Sequence, residues 1–166
     1  MSERDGDTFD DVYITPQNSQ KYLNFQIGNL RFLDSFQFLS TSLDELVRLL
    51  LKSGKHNFVH TSRHLGTFDD LYSKGIYPYN YMTSRDKFSE TQLPPIEAFH
   101  DYLKDEPLSA EDYARAQQVW SRYGMCNMRQ YHDHYLLTDV LLLADVFQHF
   151  RQTVRNEHNL HKRFLV

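Results

Sequence analysis

Hydrophobic and polar positions alternate from Tyr22 to Ile27, with Leu23, Phe25 and Ile27 on one face and Tyr22, Asn24 and Gln26 on the other. Gly28-Asn29 and then LRFLDSF follow, so the pattern predicts strand, tight turn, strand. Further along, the period becomes helical. Ser42-Leu43-Asp44-Glu45 is a capping box at the head of LDELVRLLLK, which predicts a first helix over residues 43 to 52, closed by Gly54. From Lys55 to Pro95 no period is sustained, and an ordered irregular segment is expected. Pro94-Pro95 leads into a short predicted helix near Ile96 to Leu103. Ser109 caps a second good helix, on which Tyr113, Ala116, Trp120 and Tyr123 recur before Gly124 ends it. Asn127 with Gln130 is another capping box, and the run it opens meets no Pro or Gly through Asn156, which predicts the longest element of the fold. There is no internal repeat.

That last run contains YHDHYLLTDVLLLADVFQHF, with an acid, Asp139, in its most apolar part. At about 100° per residue, Tyr135 lies some 40° from Asp139, and His132, Leu142, Leu143, Val146 and Phe150 fall within roughly 60°. Asp133 and Asp145 point about 120° away. The wheel therefore puts Asp139 in the middle of the expected buried stripe and leaves the other acids able to reach water. An ionised carboxylate so placed costs several kcal/mol, on the order of the burial penalty for unpaired charge, unless a cation or donor meets it. Two readings stay open: a functional carboxylate, or a buried aspartate satisfied by backbone or tyrosine donors.

Composition narrows the setting. The 166 residues, 40% apolar, suit one compact soluble domain. The single cysteine, Cys126, excludes an internal disulfide framework, and no apolar run approaches the roughly 20 residues of a membrane helix. The acidic start is no signal peptide, so a nuclear or cytoplasmic setting without a membrane is expected. The net charge of −4 sits at the front, where residues 1 to 15 hold five acids against Arg4. Residues 1–17 are expected to be an acidic, disordered N-terminal segment. Arg151, Arg155, Lys162 and Arg163 face only Glu157 at the other end, so charge permits a nucleic-acid partner without indicating one. Tyr72, Tyr77, Tyr79 and Tyr81 are candidate stacking platforms for unpaired bases, with packing of the irregular segment the favoured role.

Tyr135-Leu136-Leu137-Thr138-Asp139, followed by VLLLADVF, is similar to the third exonuclease motif, Y-x-x-x-D, of family B DNA polymerases, particularly the protein-primed branch of viruses and large self-replicating transposons. Y-x-x-x-D alone is a weak signal. NLRFLDSFQFLSTSLDELV, KGIYPYNYM, FSETQLPPIEAF and EDYARAQQVW also resemble segments of those polymerases, in order and at similar spacing. The resemblance covers residues 18–158, leaving 159–166 as a tail. It implies an α/β fold, a partial ribonuclease H-like exonuclease domain with a β-hairpin and the long helix as its core, from a DNA-directed DNA polymerase acting in DNA replication.

By this resemblance Asp139 binds one of two divalent ions, Mg²⁺ or Mn²⁺, that assist hydrolysis of the 3′-terminal phosphodiester, and Tyr135 orients the attacking water. One helical turn apart, the two would meet the same phosphate. Lys74, in Lys74-Gly75-Ile76-Tyr77, resembles a family lysine that approaches the site and would stabilise charge on the scissile phosphate; the other reading is a solvated loop lysine. Ser35 resembles a Ser/Thr motif that contacts the single-stranded 3′ end of DNA, with Phe36 where the family often has Leu; it also reads simply as a strand end.

A two-metal exonuclease needs several converging carboxylates. The family takes the others from a D-x-E pair and an aspartate upstream of the segment seen here, and no D-x-E occurs in these 166 residues. The expectation is thus a fragment whose partners are DNA and the remainder of a polymerase, inactive by itself. The alternative is a non-catalytic, free-standing remnant that acts as a folded binding module.

Overall fold

The computed structural model describes residues 12–16, 22–102 and 105–157. The chain divides into two units, Met1–Thr41 and Ser42–Val166. The architecture is mixed α/β, with a small antiparallel sheet and several helices, the last of them long. No helix among the described residues is long and apolar enough to cross a membrane.

The first unit is a three-stranded antiparallel meander of β1 (Val12–Pro16), β2 (Tyr22–Ile27) and β3 (Leu30–Leu33). The expected hairpin is present, and Gly28 enters its turn at φ 54, where a side chain is disfavoured. β1 lies inside the segment 1–17 expected to be disordered, and pairs Val12 with Ile27 and Ile14 with Phe25. Directly opposed residues share a face, so Val12, Ile14, Phe25, Ile27, Leu30 and Phe32 form one apolar side of the sheet. Phe25 and Phe32 stack there at 4.5 Å. All six side chains are exposed.

In the second unit the local caps do as the sequence indicates. Ser42 Oγ accepts from the Glu45 amide at the head of α1 (Leu43–Lys52). Ser109 does the same for Asp112 at the head of α3 (Ala110–Arg122). Asn127 Oδ1 accepts from the Gln130 amide, while Gln130 Oε1 reaches back to Cys126 N–H, opening α4 (Met128–Glu157). The helix expected near Ile96 to Leu103 is a single 3₁₀ turn, Ile96–Phe99, with Leu103 outside the described residues.

A helix absent from the sequence reading, α2 (Val59–Leu65), interrupts the segment from Lys55 to Pro95. It is seven residues, VHTSRHL, with two β-branched positions and no side-chain cap at Phe58. Its cap comes from 85 residues away: Asp145 Oδ1 accepts from His60 N–H at 2.7 Å and Asp145 Oδ2 from Thr61 N–H at 2.9 Å. Asp145 is 1% exposed. A carboxylate at a helix N-terminus satisfies orphan amides and also complements the helix dipole.

This corrects the helical wheel. The buried residues of α4 are Met128, Tyr131, Tyr135, Thr138, Leu141, Leu142, Asp145 and Val146, a stripe centred roughly 80° away from Asp139. Asp145, expected to face water, lies inside it, and Asp139 is only half-buried at its border. The cause is that α4 has more apolar residues than its neighbours cover. Leu136, Val140, Leu143 and Phe147 form an exposed ridge, so the middle of the apolar arc is not the middle of the buried one. The buried stripe packs α1 and α2, with Val47, Leu50, Phe58 and Leu142 at the centre. A second cluster of Ala116, Met125, Met128 and Tyr131 joins α3 to the start of α4.

Asp145→Ala leaves two buried amides of α2 without an acceptor. It is expected to cost about 2–4 kcal/mol in urea melts, with Asp145→Asn, which keeps one acceptor, in between. A loss under about 0.5 kcal/mol for Asp145→Ala, the size of an ordinary surface change, would show that α2 is held without it.

Candidate functional site

Three side chains on two turns of α4, Tyr131, His132 and Tyr135, grip the segment from Lys74 to Asn80. Tyr131 Oη donates to the Ile76 carbonyl at 2.6 Å, and Tyr77 Oη pairs with His132 Nδ1 at 2.7 Å. Tyr135 Oη meets Tyr79 Oη and lies 2.6 Å from Asp139 Oδ2. The Tyr77 ring stacks on that of Tyr135 at 4.8 Å. Gly75 makes this approach possible, because a Cβ at position 75 would sit 2.6 Å from Tyr135 Cδ2. Of the four tyrosines noted in the sequence, Tyr72 is buried, Tyr77 and Tyr81 are half-buried, and Tyr79 is 60% exposed. Tyr79, noted in the sequence as a candidate stacking platform and not as a partner of Tyr135, bonds its hydroxyl. Its signal was the recurrence of Gly75, Tyr77 and Tyr79 at alternate positions, which all meet Tyr135.

Tyr135 and Asp139 are bonded to each other, and the charge of Lys74, more than sixty residues earlier in sequence, acts on Asp139 without an ion pair between them. Burial pushes the Asp139 carboxyl above its ordinary value of 3.8, opposed by the Tyr135 hydroxyl, the Lys74 ammonium and the neighbouring Gly75 amide. Burial, and then the bond to Asp139, pushes the Tyr135 phenol upward. Tyr135 accordingly stays protonated and acts as a donor. An ionised Asp139 has no proton to give, so Tyr135 donates to it and the Tyr79 hydroxyl donates in turn to Tyr135. That accounts for Oδ2. Oδ1 is buried, and the Gly75 amide favours the charge of this carboxyl without closing a geometric hydrogen bond to Oδ1. The reading of Asp139 as an acid fully satisfied by donors thus covers one of its two oxygens.

An orphaned, buried carboxylate oxygen fits one ligand position of a hard divalent cation such as Mg²⁺ or Mn²⁺. Among the described residues, no three His, Cys, Asp or Glu side chains gather into a metal-binding group. The donor set is not completed by them. Ser35 and Phe36 belong to the first unit. Ser35 opens a 3₁₀ turn, Ser35–Gln37, in which Asp34 accepts from the Phe36 amide at 2.9 Å, and Phe36 is exposed.

Behind Tyr135 a small cavity of about 30 Å³, room for one water, is lined in part by Asp70, Ser73, Arg115 and His134. Arg122 pairs with Asp70, and Arg115 donates to Ser73 Oγ at 3.0 Å. Burial lowers the His134 value, partly offset by Asp70. This cluster fixes the loop that carries Lys74. Comparison of the chain with protein-family models, curated proteins and solved structures gives no match.

Two outcomes follow from this geometry. Below about pH 3.8 Asp139 is protonated in both the folded and the unfolded chain. As pH rises the unfolded chain ionises first, so Asp139 lowers stability through and above its raised folded value. Asp139→Asn is therefore expected to gain on the native protein as pH rises from about 3.5 to 7, reaching on the order of 1 kcal/mol. Denaturant melts across that range check it; a constant difference refutes it. Gly75→Ala is expected to cost about 1–3 kcal/mol through the clash with Tyr135, and the double variant with Tyr135→Ala should lose less than the sum. Additive losses would show that the ring is not the obstacle.

Proposed function

We propose that this chain is part of a DNA-directed DNA polymerase of the protein-primed family B type, from the C-terminal half of a ribonuclease H-like 3′→5′ exonuclease domain. The observation that carries the reading is the buried Oδ1 of Asp139, which closes no hydrogen bond, on a carboxylate that takes the Tyr135 proton at its other oxygen and feels the Lys74 charge. Hydrolysis of a terminal phosphodiester needs an anionic metal ligand, an oriented water and a cation to take up charge on the phosphate. Asp139, Tyr135 and Lys74 are of the residue types that supply these. A divalent ion bound when the ligand set is complete would generate the hydroxide and act as the Lewis acid. In this chain Tyr135 gives its one proton to Asp139 and accepts from Tyr79, which leaves its oxygen one lone pair with which to orient the attacking water. The Tyr135 bond and then the Lys74 charge favour the ionised form of Asp139 and offset part of its burial. Ser35 and Phe36 are assigned to the single-stranded 3′ end.

The exposed ridge of Leu136, Val140, Leu143 and Phe147 supports the fragment reading. It borders Asp139, so a further segment covering it would be placed to bring co-ligands to the open oxygen.

The purified 166-residue chain is expected to leave 3′-labelled single-stranded DNA intact with Mg²⁺ or Mn²⁺. The test is the longer reading frame. Its product should carry a D-x-E pair before Met1 and shorten the same DNA, with Asp139→Ala reducing the rate by about 10²–10³-fold or more and Lys74→Ala by a smaller factor. Stop codons directly upstream, or shortening by the isolated chain that survives Asp139→Ala, would sink the reading.

A further inference from the structure

The sheet of the first unit has two faces of opposite character. Cross-strand register sets Val12, Ile27 and Leu30 in one row and Ile14, Phe25 and Phe32 in the next, all on one side. The other side carries Tyr13, Gln26 and Arg31 in one row and Thr15, Asn24 and Leu33 in the next. None of the six residues on the first side is charged or polar, yet they are between 39% and 66% exposed. An antiparallel sheet with this alternation ordinarily turns its apolar side to a packed layer and the other to water.

The size of the face says what kind of layer suits it. Six side chains of roughly 150–250 Å² each, about half exposed, leave on the order of 500 Å² of contiguous apolar surface. That is toward the upper end of what a monomer presents, about 300–600 Å². Two such faces together bury about 1,000 Å², the lower limit of a specific interface. The edges of the same sheet are less suited to pairing. β1 ends at Pro16, where the register slips, and β3 has only four residues.

We propose that a second copy of this chain covers the apolar face, forming a two-fold sandwich of two three-stranded sheets. Sheets packed this way lie about 10 Å apart, the thickness of two interdigitated side-chain layers. A two-fold axis between the sheets and across the strands sets the Phe25 ring over the second copy's Ile27, and Phe32 over its Leu30. Rings then meet aliphatic side chains across the interface, and the Phe25–Phe32 stack stays intact within each copy. Each copy has one such face and uses it wholly, so the contact is isologous and closes at two. The face brings no like charges together across the axis. This inference goes beyond the exonuclease reading and does not rest on it.

Sedimentation velocity of the full 166-residue chain from about 1 to 300 µM tests it, spanning the weak affinities expected of a small interface. A reductant is present so that the exposed Cys126 cannot link copies. A reversible shift from monomer to dimer is expected. Phe32→Lys, inside the face, and Leu30→Lys, the most exposed of the six and without a ring contact, should each weaken the dimer by about tenfold or more. Circular dichroism melts show that each variant is folded, and Leu30→Lys decides the matter if Phe32→Lys is not. Arg31→Ser on the opposite side of the sheet, and Val140→Lys on the exposed ridge of α4, should leave dimerisation unchanged. Monomers at every concentration, assemblies that grow past two, a dimer that Leu30→Lys leaves intact, or one that Val140→Lys dissolves overturns the proposal.

Discussion

Peptide groups that lie outside regular ladders must still find partners, and in this chain α4 provides many of them. Asp145 takes two amides of α2, and Tyr131 serves the Ile76 carbonyl. The first amide of α4 is itself met by the Glu90 carbonyl at 2.8 Å. The second unit contains a segment of some forty residues in short turns, and such a segment cannot hold one conformation by itself. Its geometry is set by a straight rod that offers side chains at fixed intervals. The candidate site inherits its geometry from this arrangement, because Gly75, Ile76, Tyr77 and Tyr79 are positioned by bonds and ring contacts to the rod.

The elements legible in the sequence were those whose determinants are local. Ser42, Ser109 and Asn127 cap the helices they precede, and Gly28 turns the hairpin. α2 was illegible for the opposite reason, since the residue that caps it is remote in sequence and its own composition is poor for a helix. Tertiary context overrode propensity there. β1 was obscured by the acids in front of it. Val12 and Ile14 do alternate, but two apolar positions beside five acids read as a solvated tail until β2 is seen to pair with them.

Of the candidate site, the sequence singled out Tyr135, Asp139 and Lys74; the structure bonds the first two and sets the charge of the third within reach of Asp139. The error lay in the phase of the helix, which assigned deep burial to Asp139 and solvent to Asp145. A wheel weighs every apolar residue equally, whereas burial depends on which of them a neighbour covers. Where a helix bears an uncovered ridge, as at Leu136 and Val140, the wheel's centre drifts toward it. The two aspartates divide the possible fates of a carboxylate in a protein interior. Asp145 has both oxygens occupied and serves stability, while Asp139 has one occupied and keeps the other in reserve.

The contact between Gly75 and the Tyr135 ring has a bearing on descent. The two positions are 60 apart in the chain, yet neither can vary freely, since a side chain at one requires a smaller ring at the other. A lineage that kept the aromatic hydroxyl beside the carboxylate would keep the glycine as well, as a fixed pair. One that replaced the ring by a smaller side chain would release the glycine, so the two positions are expected to change together in related chains.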